Sequence, residues 1–307
     1  MYKKFFGLRD NPFNVNPDPR YLFTTQHTEE ALSALTYGIQ KRKGFVLLTG
    51  EVGTGKTTLI NKLLEWLHSE GLPTAFIFNP RLNIPQFFDF MMADFGIPCE
   101  TRQKSQVLMR LNHWLLERYR AGETGVLIVD EAQNLSPQLL EEIRLLTNLE
   151  TYTEKLLQIV LSGQPELELK LRQPELRQLR QRITLRCKTH PLTIEETGGY
   201  VAERLKIAGN DSAEPIFTAP AIQAIHRFSR GIPRVINLLC EHALISAYAD
   251  QKRPIGSETV EEVAREFELH EIEPTVPAGM AGQAENIRLV EALQGLATLM
   301  DRLRRTE

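Results

Sequence analysis

Hydrophobic and polar positions along this chain change their period twice, and those changes divide it into regions. Between residues 45 and 187, short apolar runs alternate with stretches of helical period. FVLLT (45–49), TAFIF (74–78), VLIVD (126–130), LQIVLSG (157–163) and ITLRC (183–187) have the length and the β-branched and aromatic content of strands. Helices are predicted over 56–70, where Gly71 stops the first, over 84–95 and over 105–121. Another opens at Ser136-Pro137, an N-cap followed by proline at the first helical position, and runs to about Leu149. Apolar runs that do not alternate are buried on both faces, so the pattern predicts a parallel sheet covered on both sides by helices.

The flanks differ. NPFNVNPDPRYLF, rich in Pro and Asn, predicts an irregular arm, and a helix over 28–41 puts Ala31, Leu32, Leu35 and Ile39 on one face. After His190 only helices are expected. Thr193 and Glu196 form a capping box for a helix to about Ala208, and three more follow over 218–228, 233–249 and 257–269. Residues 271–284 form a Pro/Gly/Ala linker. A last helix, about 285–305, carries Leu289, Leu293, Leu296, Met300 and Leu303 at 4-3-4-3 spacing, which suits packing on its own chain or contact with a partner helix. The expected organisation is an arm and helix (1–44), an α/β core (45–190), a helical domain (191–270), a linker (271–284) and an amphipathic tail helix (285–307).

Composition adds exclusions. A chain of 307 residues suits two domains, and 42% hydrophobic with 24% charged residues is ordinary for a globular protein. A net charge of -3 gives no global drive toward nucleic acid or anionic lipid and leaves room for a local basic patch. Cys99, Cys187 and Cys240 are far apart and lack CxxC spacing, so reduced thiols in the cytosol are expected. No apolar run is long enough for a transmembrane helix, and the basic N-terminus has too short an apolar stretch for a secretory signal.

Candidate chemistry sits at the strand ends. GEVGTGKTT (50–58) follows the first strand and opens a helix, the context that G-x-x-x-x-G-K-[ST] requires. Gly50, Gly53 and Gly55 let the backbone curl so that the N–H groups of Glu51, Val52, Gly53, Thr54, Gly55, Lys56, Thr57 and Thr58 can cradle phosphate oxygens. Lys56 suits the β- and γ-phosphates of ATP, Thr57 suits Mg²⁺, and the Glu51 side chain is expected to point outward. VLIVDEAQ ends in two carboxylates: Asp130 suits the metal, through water, and Glu131 suits a base that polarises the attacking water. IVLSGQPEL places Ser162 or Gln164 near the γ-phosphate, with Gln164 a candidate to orient water; a strand-to-helix turn closed by Gly163 and Pro165 is the alternative. The basic run 170–188 reads as a solvated face, as a patch for DNA phosphates, or as an arginine finger for a neighbouring subunit's nucleotide. Arg182 is the first candidate for that finger and Arg180 the second.

Together these features resemble the AAA+ ATPases: phosphate loop, VDEA, a polar fourth-strand end, an arginine-bearing helix before the fifth strand, then helices. The sequence is similar more specifically to the ExeA-like group, the general secretion pathway protein A ATPases. MYKKFFGLRDNPFNVNPDPRYLF, HTEEALSALTYGI, GEVGTGKTT, DEAQNLS, GQPEL, LRQRI and GIPRVINLLC carry that likeness over roughly residues 1–270. The resemblance implies a P-loop NTPase sheet in the order 5-1-4-3-2, a helical lid and ATP-bridged homo-oligomers, as ring or filament. It implies that the arm walls the adenine pocket with Phe13, Pro17, Tyr21 or their neighbours, and that Arg234 is the lid's sensor 2 residue, meeting the γ-phosphate. Members of that group continue into a transmembrane helix and a periplasmic peptidoglycan-binding region, where this sequence has its short amphipathic helix; that departure argues against a direct cell-wall role and leaves a membrane-system setting open.

Three functions compete. The first is ATP hydrolysis coupled to assembly or remodelling in an envelope secretion or exopolysaccharide export system. Its tail helix would dock a membrane-system partner, in the cytoplasm or peripheral to the inner membrane. The second is a DNA-associated ATPase of the transposition-regulator or initiator type, weakened by the net charge of -3. The third is a nucleotide switch without hydrolysis, which Glu131 argues against. As a helix from Pro233, RGIPRVINLLCE puts Arg234, Asn237 and Glu241 on one face. Arg234 then either meets ATP or forms an ion pair within the helical domain, for instance with Glu241.

Overall fold

The computed structural model describes residues 2–14, 18–78, 82–98, 101, 103–210 and 214–269. The expected linker and tail helix lie outside the described residues, as do Pro17 and Cys99. The chain opens with α1 (Tyr2–Phe6) and α2 (Gln26–Gln40), then β1 (Phe45–Thr49), α3 (Lys56–Ser69), β2 (Thr74–Ile77), α4 (Ile84–Asp94) and α5 (Lys104–Arg120). Next come β3 (Gly125–Val129), α6 (Pro137–Leu146), β4 (Leu157–Gly163), α7 (Pro165–Leu171), α8 (Arg177–Arg182) and β5 (Ile183–Lys188). Four helices follow: α9 (Ile194–Ile207), α10 (Ala219–Ser229), α11 (Pro233–Ala249) and α12 (Ser257–Glu266).

The five strands form one parallel sheet ordered β2-β3-β4-β1-β5, which is the expected 5-1-4-3-2 read from the other edge. Alternate residues of each strand enter different layers. Phe45, Leu47, Leu127, Val129, Ile159 and Leu161 pack with residues of α4 to α8. Val46, Leu48, Val126, Ile128 and Val160 pack with residues of α2 and α3. Burial on both faces is why the strands read as continuous apolar runs.

Boundaries shift where caps decide them. Helix α2 begins at Gln26 because Thr25, not a later residue, accepts the Thr28 N–H. Helix α6 stops at Leu146, where the Thr147 hydroxyl donates to the Arg144 carbonyl, and a bridge between Glu150 and Lys155 leads into β4. Between β4 and β5 lie α7, after a strand-to-helix turn at Pro165, and α8, the expected arginine-bearing helix before the fifth strand, joined by a 3-10 turn at Pro174–Leu176. Leu167, Leu171, Leu176 and Leu179 anchor that stretch in the core and leave its arginines outside.

The helical region has its own core, and the N-terminal arm belongs to it. Phe6, Leu8 and Phe13 are buried among Tyr200, Val201, Phe217, Ile225, Ile236 and Leu244. Asn11 and the Tyr2 hydroxyl both donate to the Glu241 carboxylate, and the N–H groups of Arg9 and Asp10 reach the Ala208 carbonyl. Removing a buried phenylalanine such as Phe6 typically costs about 3–5 kcal/mol, so the arm is a structural part of this region. No helix among the described residues is long and apolar enough to cross a membrane.

Candidate active site

The phosphate loop leaves β1 at the C-terminal edge of the sheet, where Thr49 pairs with Gly163 of β4 on one side and Lys188 of β5 on the other. Open parallel sheets bind ligands at this edge. Gly55 caps α3 with φ 96° and Gly53 has φ 81°, in the left-handed region that side chains resist. A Cβ at Gly53 would lie 2.8 Å from Cβ of Arg234, so this glycine also lets the first turn of α11 approach. The Arg234 N–H donates to the Gly53 carbonyl at 3.2 Å, joining the helical region to the loop through backbone. Lys56 is 6% exposed, and its ammonium donates to the carbonyls of Gly50 (2.7 Å) and Glu51 (2.9 Å). Burial pulls its pKa down, while the charges of Glu131, Asp130 and Glu51 pull it back up. The Glu51 side chain is exposed, as expected.

Asp130 lies just past β3 and is 5% exposed. One carboxylate oxygen, Oδ1, accepts from the Ser162 hydroxyl (2.7 Å) and the Glu131 N–H (2.9 Å). The other, Oδ2, faces the Thr57 hydroxyl at 3.5 Å. Glu131 adopts φ 52°, which turns its side chain out of the strand direction. Its Oε2 accepts from Nε2 of Gln164 (3.2 Å) and from Nε2 of Gln133. The Gln164 side chain therefore bonds the adjacent carboxylate.

A cleft of about 340 Å³ joins this edge to the arm and the helical region. Val52 to Leu59, Glu131, Gln164 and Arg234 line one end. Gly50, Glu51 and Asp130 are not on its wall; Asp130 lies next to it, across from Thr57. Arg182 is exposed at the start of β5, whereas the cleft adjoins residues beyond that strand's far end, Thr189 to Leu192. No carboxylate pairs with Arg234 among the described residues, and Glu241 is instead taken by Tyr2 and Asn11.

The other end is walled by Asn14, Asp18, Tyr21, His27, His190, Tyr200 and Arg204 among others. Phe13 is not there: it is 1% exposed in the helical core, edge-on to Phe217, while Tyr21 lines the cleft as expected, together with Asn14. Arg204, 6% exposed, holds this end together. Its Nε donates to the Pro12 carbonyl (2.6 Å) and its NH1 to the Tyr200 hydroxyl (2.9 Å), which in turn donates to Asn237 (2.8 Å). Its guanidinium lies 4.5 Å from the ring centre of Tyr21. Sequence reasoning missed Arg204 and Gln133. The second had a signal, the glutamine of DEAQ two positions after Glu131; the first had only Tyr200 one turn earlier, since its Pro12 partner lies 192 residues away.

A family profile described as an AAA domain matches residues 39–171. General secretion pathway protein A of Aeromonas hydrophila is 49% identical over 250 residues, covering 81% of this chain and 45% of that protein. The chain thus spans less than half the length of that relative. The ORC2 protein of Aeropyrum pernix, in its ADPNP-ADP complexes, has a similar fold: TM-score 0.61, 16% identity, 83% of this chain and 71% of that one. Cdc6p of Pyrobaculum aerophilum also matches with TM-score 0.61, at 18% identity over 86% of this chain and 70% of that one.

Proposed function

The chain belongs to the ExeA-like AAA+ family of general secretion pathway protein A, and from that premise we propose that its cleft binds ATP with Mg²⁺ and hydrolyses it. The observation that carries this reading is the convergence of Lys56, the Thr57–Asp130 pair and the Glu131 carboxylate on one strand edge. Thr57 and Asp130 offer hard oxygen atoms about a hydrogen-bond length apart, which suits Mg²⁺, a cation that binds few protein ligands and keeps phosphate oxygens and waters. When bound, that ion would neutralise charge on the phosphates.

The N–H groups of the loop and of the α3 N-terminus bind phosphate oxygens, and Lys56 adds its positive charge. Glu131 accepts the proton of the attacking water at its carboxylate. Arg234 stands on the first turn of α11 with its backbone already joined to Gly53, so a charge change at the phosphates bears directly on the helical region. Arg182 lies away from the cleft of its own chain, which favours action on the nucleotide of a second copy. Hydrolysis would then be coupled to assembly of a homo-oligomer or to its remodelling. The secretion-system setting comes from the name of the relative, and a membrane-system protein is the proposed partner.

Steady-state phosphate release tests this. Wild-type protein is expected to turn over ATP more per molecule as protein concentration rises, Lys56→Ala to be inactive, and Arg182→Ala to be slow and independent of concentration. A Lys56→Ala variant with full turnover would remove the cleft from the reaction, and a concentration-dependent Arg182→Ala would remove the finger. The exposed Arg172, Arg177 and Arg180 make no ion pair among the described residues, which keeps DNA as the second reading. Salt-sensitive binding to random duplex at ~50 mM salt would support it.

A further inference from the structure

Gln133 touches neither end of the cleft, yet it ties together the two strand ends that the reaction uses. Its amide is used in both directions. Nε2 donates to Oε2 of Glu131, and Oε1 accepts the backbone N–H of Gln164 at 3.1 Å. The side chain therefore bridges the segment after β3 to the segment after β4. Space for it comes from Gly163, where a Cβ would meet Oε1 of Gln133 at 2.7 Å. The turn that carries it, Ala132–Asn134, is tethered from α7: the Lys170 ammonium donates to the carbonyls of Gln133 and of Leu135, the latter at 2.8 Å. Both the nitrogen and the oxygen of the Gln133 amide are thus engaged between one carboxylate and the end of one strand.

We propose that Gln133 is a positioning residue for ATP hydrolysis, holding the Glu131 carboxylate in register with the end of β4. Both amides, of Gln133 and Gln164, load the same oxygen, Oε2, which leaves Oε1 for the proton of the attacking water. Without Gln133, the carboxylate rotates about a side chain whose backbone already sits at φ 52°, and the water is no longer aligned. Charge near Glu131 comes from Lys56 and Asp130 beside it, from Arg234 across the cleft and from Lys170 behind the turn. None of these can replace an amide that donates and accepts at once.

This inference rests on Glu131 acting as the base, so Glu131→Gln serves as the reference. Gln133→Ala and the isosteric Gln133→Glu are compared with it in phosphate release and in binding of ADP by titration. Expected is a fall in kcat of about 10- to 100-fold in Gln133→Ala, the range seen when a group that orients a functional side chain is removed, with KM and ADP affinity within about twofold of wild type. Gln133→Glu, which keeps the shape but sets a second carboxylate against Glu131, is expected to lose at least as much. Should both Gln133 variants keep wild-type kcat while Glu131→Gln is inactive, the positioning role is wrong and the base stands. Should Glu131→Gln keep its turnover, both fall. A Gln133 loss that appears equally in ADP affinity marks a role in holding the loop and also overturns the proposal.

Discussion

The two ends of the cleft are built in opposite ways. The phosphate end is made from strand termini and the segments that follow them: Gly50 to Thr58 after β1, Asp130 to Gln133 after β3, Ser162 to Gln164 at the end of β4. The sheet itself brings them together, since β4 lies between β1 and β3. The arm end has no such frame. Asn14, Tyr21, His190, Arg204 and Asn237 come from separate parts of the chain and are held by side chains, chiefly the Arg204 guanidinium. The candidate catalytic side chains thus stand where the sheet fixes the backbone, while the other end is fixed by side-chain contacts.

Variants can break this contrast from either side. The largest effect belongs to Asp130→Ala. It strips Thr57 of its partner and leaves the Ser162 hydroxyl and Glu131 N–H without their acceptor, so phosphate release at saturating Mg²⁺ is expected to drop about 1,000-fold or more. Next comes Arg204→Ala, read by urea denaturation. Losing three charge-assisted hydrogen bonds, to Pro12, Tyr200 and Asn14, and the contact with Tyr21 is expected to cost about 2–4 kcal/mol, with ATP affinity falling more than turnover. Arg204→Lys keeps the charge without the planar fork and should recover only part of this. If Arg204→Ala stopped turnover while ATP still bound, the division between the ends would fail.

Gly53→Ala probes the contact between them. Its left-handed backbone and the 2.8 Å approach to Arg234 predict a penalty of about 1–2 kcal/mol, seen as roughly tenfold weaker ADP binding by titration. The smallest effect is electrostatic. Burial lowers the Lys56 pKa in the free protein, and bound phosphates raise it again, so binding takes up a proton at alkaline pH. ADP affinity should therefore decline as pH climbs through the lowered pKa toward the ordinary lysine value of about 10.4, and Lys56→Arg should flatten the decline.

How much of this was legible in the sequence follows the same division. The five strands and the residues at their ends could be read because each phosphate-end group lies within a few positions of an apolar strand that fixes it, whereas the order of the sheet came from the family resemblance. The resemblance placed the arm at the cleft, and Tyr21 with its neighbours does line it, but not every arm residue could be assigned. Phe13 looked like a pocket residue, yet it is apolar and the helical core offered full burial against Phe217, so it went there. The strand-to-helix turn at Pro165 and the arginine-bearing helix before β5 match what was expected, but the anchoring of this charged stretch by Leu167, Leu171, Leu176 and Leu179 did not show through its charge. Arg204 was hard to see because its one local sign, Tyr200 a turn earlier, is shared by many helical arginines, while Pro12 and Tyr21 are distant in sequence.

The central claim, that the carboxylate after β3 does the chemistry while binding rests elsewhere, is tested most directly by Glu131→Gln. ATP binding by calorimetric titration and single-turnover hydrolysis are measured on the same preparation. The expected result is ATP affinity within about twofold of wild type and hydrolysis slowed about 100- to 10,000-fold, the contribution of a general base. Hydrolysis at the wild-type rate, or loss of ATP binding together with turnover, would contradict it.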